Sequence, residues 1–110
     1  MDIHKIDWSA TQWKKVREGV DRKGFTGKGA TVALHRLMPN HTPNPHSHPH
    51  EQILYIMSGT MKLHIGDEVH IIGPGGLLLV PPNVTHWGEV VGDEPVMNLD
   101  IFTPCRPEYV

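Results

Sequence analysis

Between residues 31 and 103, short apolar runs alternate with turn residues. Each run is rich in aliphatic or β-branched residues and ends near Gly, Pro, Asn or Asp. Runs of roughly four to eight such residues between turn signals are typical of β-strands. The pattern predicts seven strands, at residues 31–38, 53–57, 60–65, 68–72, 77–80, 84–91 and 96–103.

The stretch before residue 20 carries the local signals of a helix instead. Ser9 and Gln12 have the spacing of a capping box, and Trp8 and Trp13 stand at the two positions of a hydrophobic staple. We therefore predict one short helix over residues 9–18. Many short strands with a single helix favour an all-β fold, a jelly-roll barrel whose strand edges are hidden by closure or by a second sheet.

A chain of 110 residues has room for one domain. We expect an N-terminal helix and edge strand over residues 1–30, the barrel over 31–103 and a tail over 104–110. The net charge of −2 does not suggest a basic surface for nucleic acid, and no apolar run approaches the roughly 20 residues that cross a bilayer. The first residues lack the apolar centre of a signal peptide, so the sequence predicts a cytoplasmic protein that binds neither nucleic acid nor membrane.

Four of the nine histidines lie between residues 41 and 50, just before a predicted strand. Because alternate side chains of a strand share a face, His46, His48 and Gln52 can point the same way. Imidazole is a common ligand of first-row metals, and two imidazoles on a fixed backbone can hold one ion. A third ligand must come from elsewhere in the chain. His86 is well placed for this at a barrel mouth, because it lies just inside a strand that follows a proline turn.

The fourth ligand has competing candidates. Gln52 shares strand parity with His48, Glu51 is the neighbouring carboxylate, and His50 has the parity of a further imidazole. We favour Gln52, whose neutral amide leaves the site with the full charge of a divalent ion. Three nitrogens and one oxygen leave positions open for water or substrate, which is the pattern of a catalytic site. Such a ligand set accepts Ni, Zn, Mn, Fe or Co, so the sequence leaves the identity of the metal open.

The last strand and the tail contain candidate catalytic residues. Alternation puts Asp100 and Phe102 on one face, which is the cavity side if His86 faces the cavity. An acid beside a Lewis-acidic ion is a natural proton donor or acceptor. Arg106 can hold a substrate carboxylate through two parallel hydrogen bonds.

Three further side chains, two histidines and the single cysteine, are candidates for a role at the site. His35 and His64 lie on predicted strands, and each is a candidate substrate contact. Cys105 has no partner for an internal disulfide, and we interpret it as an incidental apolar residue, with a thiol nucleophile or metal ligand as the alternative.

Two segments of the chain resemble the two motifs of the cupin superfamily. The residues that match the first motif are His46, His48, Gln52 and Gly59. The residues that match the second motif are Gly75, Pro81, Asn83 and His86. The chain departs from the pattern at Asn40, where a glycine is usual, and at Val90, where an asparagine is usual. The resemblance implies the cupin double-stranded β-helix over residues 31–103, and it implies a homodimer, since small cupins usually pair.

The end of the barrel extends this resemblance to a narrower group. Asp100, Phe102 and Arg106, together with the histidine-rich run, resemble KdgF-type cupins, which linearise 4,5-unsaturated uronates. That resemblance implies proton transfer by Asp100 during a ring opening that yields 5-keto-4-deoxyuronate. The positions that correspond to the metal ligands of this group are His46, His48, Gln52 and His86.

The leading hypothesis is therefore a metal-dependent lyase or isomerase that acts on a small anionic sugar. Small cupin polyketide cyclases look similar, and a cyclase acting on a poly-β-ketone is the first alternative. An iron-dependent dioxygenase is another, and a non-catalytic cupin that binds a small molecule through its metal is the alternative from a different class.

Overall fold

The computed structural model describes residues 1–110 and contains nine β-strands and two short 3-10 turns. The turns span Trp8–Ala10 and Pro107–Tyr109. No helix in the structure has the length and apolar character that crossing a membrane requires. The strands are β1 (Lys14–Arg17), β2 (Val20–Thr26), β3 (Thr31–Leu37), β4 (Glu51–Ser58), β5 (Met61–Ile65), β6 (Glu68–Ile72), β7 (Leu77–Val80), β8 (His86–Val90) and β9 (Val96–Thr103).

The strands form two antiparallel sheets, and all seven predicted strands are present. The larger sheet has the order β1-β2-β3-β9-β4-β7, and the smaller sheet has the order β6-β5-β8. A single β-bridge between His46 and His86 connects the segment before β4 to the first residue of β8. The predicted all-β architecture is confirmed.

The predicted N-terminal helix is wrong. The residues of β1 pair with β2, and only Trp8–Ala10 makes a helical turn. Asp7 caps that turn, because its side chain accepts a hydrogen bond from the Ser9 amide at 2.9 Å. Gly19, with a φ of +76°, makes the tight turn between β1 and β2. A helix of about ten residues is marginal by itself, so pairing with an existing sheet overrides the local helix signals.

The interior of the barrel has an aliphatic half and a polar half. On β4, Leu54 and Ile56 are buried, whereas Ile53 and Tyr55 on the opposite face are exposed. The aliphatic half consists of nine buried residues: Val20, Leu37, Leu54, Ile56, Met61, Leu63, Ile72, Val80 and Val96.

Strand β9 runs from one half of the interior into the other. Val96 belongs to the aliphatic half, and Asn98, Asp100 and Phe102 follow on the same face. Pairing with the neighbouring strands places Asn98 level with His35 on β3 and Phe102 level with Gln52 on β4. The polar half is formed by His35, His46, His48, Gln52, His86, Asn98 and Asp100.

Candidate metal centre and cavity

Three histidines meet at the end of the barrel where the two sheets are bridged. His46 and His48 lie in the segment before β4, and His86 begins β8. One ring nitrogen from each lies within 4.8 Å of those of the other two. The backbone fixes two of them relative to each other, since the His46 amide donates to the His86 carbonyl and the His86 amide donates back at 2.9 Å. We call these residues the histidine triad.

Main-chain carbonyl groups set the tautomer of each triad ring. The Nδ1 atoms lie 2.6 Å from the Asn44 oxygen, 3.0 Å from the His50 oxygen and 2.9 Å from the Val84 oxygen. A carbonyl oxygen can only accept, so each Nδ1 carries a proton and donates. Each Nε2 therefore keeps its lone pair for another partner, as in metal-bound histidines.

Burial favours the neutral form of two triad rings, His48 and His86. Burial lowers the pKa of His86 below its ordinary value, and burial together with the charge of Arg106 lowers the pKa of His48. The His86 Nε2 atom is buried and has no hydrogen-bond partner. Three imidazoles whose Nε2 atoms face one another, one of them buried and unpartnered, are a donor set that fits a transition-metal ion.

Gln52 lies beside the triad, and its amide is oriented by Asp100. The Gln52 Nε2 atom donates to Asp100 Oδ1 at 2.8 Å, which turns the Oε1 atom towards His48 Nε2 at 3.1 Å. With Nδ1 of His48 protonated, both atoms of that second contact are acceptors. Two acceptor atoms at this distance repel each other unless both bind the same cation. Gln52 is only 5% exposed, whereas the competing candidate Glu51 is exposed on the other face of β4.

Asp100 accepts hydrogen bonds from three side chains. Besides Gln52, His35 Nδ1 lies 2.7 Å from Oδ2, and Asn98 donates to the same oxygen at 2.9 Å. Arg22 Nε donates to His35 Nε2 at 3.0 Å. A guanidinium only donates, so His35 Nε2 accepts from Arg22. His35 therefore carries its proton on Nδ1 and donates it to Asp100. The carboxylate is thus held in one orientation beside the amide that faces the triad.

A cavity of about 130 Å³ opens next to these residues. Its lining includes two triad members, His46 and His86, as well as Gln52, His35, Asp100 and Phe102. His64 does not line it, since the His64 ring stacks on Trp87 at 3.8 Å and its Nε2 lies 2.6 Å from Glu89. Cys105 lies half-buried in the tail and does not line it either.

Phe102 lines the cavity, whereas Arg106 does not. Phe102 is 2% exposed, lines the cavity and meets His48 edge-on with ring centres 5.6 Å apart. Arg106 is behind it, with its guanidinium carbon 4.8 Å from the Phe102 ring centre and 3.8 Å from that of Tyr109. Arg106 does not line the cavity, whereas Arg22 does.

Sequence reasoning missed Arg22, Asn98 and Tyr109. Strand parity could have found Asn98, which lies two residues before Asp100. Arg22 becomes visible only when the β2–β3 register places it beside His35. Tyr109 reaches the cavity because the last turn folds back onto β2 and β3, and no sequence pattern signals that contact.

A family model described as a cupin domain matches residues 33–102, so the chain belongs to the cupin family and the resemblance is confirmed. An RmlC-like cupin from Shewanella frigidimarina has a TM-score of 0.87 at 20% identity, covering 99% of this chain and 97% of that one. KdgF from Halomonas sp. has a TM-score of 0.83 at 21% identity, with 93% and 95% covered.

A third similar structure is the polyketide cyclase RemF from Streptomyces resistomycificus, with a TM-score of 0.78 at 20% identity and coverage of 96% and 81%. At these identities the likeness shows the fold alone. Among curated proteins, no significant match was found.

Proposed function

We propose that the protein is a metal-dependent lyase or isomerase that opens the ring of a 4,5-unsaturated uronate to give 5-keto-4-deoxyuronate. The observation that carries the proposal is the contact between Asp100 and Gln52, which places a carboxylate beside the histidine triad in a cavity lined by a guanidinium. A proton carrier, a metal site and a positive charge are the groups that such a substrate requires.

The histidine triad and the Gln52 oxygen would hold one divalent ion of Ni, Zn, Mn, Fe or Co. When bound, the ion supplies Lewis acidity that polarises substrate oxygens. The remaining chemistry belongs to the side chains around the cavity.

Asp100 is the proposed proton carrier. Ring opening is an isomerisation in which a proton leaves the anomeric hydroxyl, the bond between the anomeric carbon and the ring oxygen breaks, and a proton is added to the ring carbon at C4. No co-substrate is consumed. Gln52, His35 and Asn98 hold the Asp100 carboxylate in place, and a positioned carboxylate contributes to such transfers by roughly 10²–10⁴-fold.

Phe102 and Arg106 complete the proposed set. Phe102 forms an apolar wall beside His48, which limits water at the reacting carbons. The sequence predicted that Arg106 holds the substrate carboxylate, but Arg106 does not line the cavity, and its guanidinium packs against the Phe102 and Tyr109 rings. In this proposal Arg106 adds positive charge from behind those rings and does not contact the substrate.

The test is turnover of a 4,5-unsaturated uronate by the metal-loaded protein, followed as loss of the ultraviolet absorbance of the ring double bond. We expect decay above the spontaneous rate that disappears with a chelator and falls by roughly 10²–10⁴-fold in Asp100→Asn. His70→Gln, an exposed position on β6, is the matched control and should keep full turnover. No decay by a protein with bound metal would refute the uronate proposal and favour a cyclase that acts on a neutral poly-β-ketone.

We also infer a homodimer. The outward face of the larger sheet carries exposed apolar side chains, with Ile53 level with Leu79 and Tyr55 level with Leu77. A contiguous exposed apolar patch is typical of an interaction surface. Analytical ultracentrifugation should find a dimer for the wild type and a monomer for Leu79→Lys. A monomeric wild type would contradict this inference.

A further inference from the structure

Two arginine side chains share one aromatic ring beside the cavity. The Arg22 guanidinium carbon lies 3.5 Å from the ring centre of Tyr109, and that of Arg106 lies 3.8 Å from it. Two guanidinium groups this close to one ring centre would overlap on a single face, so the ring lies between them. Arginine stacks readily on aromatic faces in this way.

A third arginine, Arg17, lines the cavity together with Arg22, whereas Arg106 does not. Neither Arg17 nor Arg22 forms an ion pair with a carboxylate, and the one arginine that does is Arg36, whose partner is Asp21 at 2.9 Å. Asp100 is the only acidic side chain that lines the cavity, and it is connected to Arg22 through His35. The cavity therefore contains more positive than negative charge even before any metal ion is counted.

The two cavity arginines have free hydrogen-bond donors. Arg22 uses Nε for His35, and Arg17 uses Nε for the Thr42 carbonyl at 2.7 Å. Their terminal nitrogens donate to no group of the chain, and they are not among the buried unpartnered atoms. In Arg106, by contrast, Nε and Nη1 are buried against the aromatic rings and are not accessible to a ligand in the cavity.

The cationic arrangement has an energetic cost that an anion offsets. Burial lowers the pKa of both Arg17 and Arg22, and the charge of Arg106 acts in the same direction on Arg22. A guanidinium cannot lose its proton in a protein, so the cost stays in the folded state. A carboxylate is the partner that matches the two parallel donors of a guanidinium.

We propose that Arg22, assisted by Arg17, binds the carboxylate group of an anionic ligand in the cavity, and that Tyr109 holds Arg22 in the binding position. This inference rests on the cavity of the proposed function and names the residue that recognises its substrate class. Arg106 acts through Tyr109 and is a positioning residue.

Arg22 is linked to Asp100 by two hydrogen bonds through His35. Arg22 Nε donates to His35, and His35 donates to Asp100, so the residue that recognises the ligand also sets the orientation of the proposed proton carrier. A lysine at position 22 presents a single ammonium group and cannot form the stack on Tyr109, the His35 contact and a paired carboxylate contact together.

The test is binding of D-galacturonate, which has the carboxylate but no ring double bond, compared with D-galactose, which lacks the carboxylate. Isothermal titration calorimetry on the metal-loaded protein should show that galacturonate binds more tightly than galactose. Arg22→Gln should weaken galacturonate binding by roughly 10- to 100-fold and leave galactose binding unchanged, because the lost contacts are charge-assisted hydrogen bonds. Arg36→Gln is the control, since Arg36 is paired with Asp21 and does not line the cavity, and it should bind as the wild type does.

A pair of variants at position 109 tests the proposal where Arg22→Gln does not fold. Tyr109→Phe keeps the ring between the guanidiniums and should retain binding, whereas Tyr109→Leu should weaken it by about 10-fold. Unchanged galacturonate affinity in Arg22→Gln or Tyr109→Leu overturns the proposal, and so does a wild type that does not discriminate galacturonate from galactose.

The two proposals fail in distinguishable ways. Arg22-dependent galacturonate binding without turnover of the unsaturated uronate refutes the proposed reaction and supports the carboxylate site. Turnover with an unchanged KM in Arg22→Gln supports the reaction and refutes Arg22 as the carboxylate ligand.

Discussion

The aliphatic and polar halves of the barrel are built from the same strands, and they are stabilised differently. On β4, Ile56 is fully buried in the aliphatic half and Gln52 is buried in the polar half, on the same face of one strand. In the aliphatic half any well-shaped apolar side chain gains free energy from burial. In the polar half Gln52 is useful only because Asp100 holds its amide in one orientation.

The difference shows where the protein can tolerate unfavourable contacts. An unsatisfied buried polar atom costs about 1–3 kcal/mol, and the polar half contains two without a partner in the chain, His86 Nε2 and Asn98 Oδ1. The aliphatic half supplies no chemistry but offsets these costs. Mutations in the polar half should therefore change metal binding and turnover, whereas mutations in the aliphatic half should change the free energy of unfolding.

The largest effect is expected for His48→Ala, which removes one nitrogen of the triad. Stoichiometric metal should be lost, because changes even outside the ligand shell cost roughly 10–100-fold in metal affinity and removal of a ligand costs more. The measurement is metal content after desalting, by mass spectrometry. His70→Ala, exposed on β6, is the control and should keep one ion per chain. Retained metal in His48→Ala would refute the ligand assignment.

In the aliphatic half, Ile56→Ala should lower the free energy of unfolding by about 2–5 kcal/mol, because it leaves a cavity among packed side chains. Urea denaturation measures this change. Ile71→Ala, at a position that is 63% exposed, should change the free energy by less than about 0.5 kcal/mol. The folded fraction of Ile56→Ala should keep its metal. A cost in Ile56→Ala no larger than that in Ile71→Ala would mean that the aliphatic half does not carry the stability.

Asn98→Leu changes the residue on β9 where the aliphatic half meets the polar half. Asn98 donates to Asp100, but its Oδ1 atom is buried without a partner. Leucine has a similar shape and removes that unsatisfied atom, so the free energy of unfolding should stay within about 1 kcal/mol of the wild type or rise. Turnover should fall by roughly 10-fold, since Asp100 loses one of its three donors. Reduced stability with full turnover would show that Asn98 serves the fold and not the site.

The sequence predicted the strands better than the site, for a physical reason. Strand alternation is local, so the seven strands after residue 31 follow from spacing alone. His48 does lie beside Gln52, but it precedes β4, so the loop before the strand brings the two together and not strand parity. The N-terminal signals were also local, but pairing of β1 with β2 overrode them. Arg22 and Tyr109 meet only through strand register and the return of the tail, which are long-range contacts without periodicity.

A small effect on stability is expected for Gly24→Ala, at the edge of the polar half. Gly24 follows Arg22 by two residues on β2 and lies under the last turn. A Cβ atom there would clash with the Tyr109 carbonyl oxygen, so the last turn must shift, and we expect that shift to displace the Tyr109 ring from the two guanidiniums. Because none of the turn is buried in the aliphatic half, the free energy of unfolding should fall by only about 1 kcal/mol.

Galacturonate binding by Gly24→Ala should nevertheless weaken by about 10-fold, as in Tyr109→Leu. Urea denaturation and calorimetry on the same preparation separate the two effects. The aliphatic half contributes nothing to this position, so a variant that loses affinity while keeping its stability would show that ligand recognition depends on the tail contact with β2. If Gly24→Ala keeps its affinity for galacturonate, the close contact between β2 and the tail does not set the position of Tyr109 against Arg22.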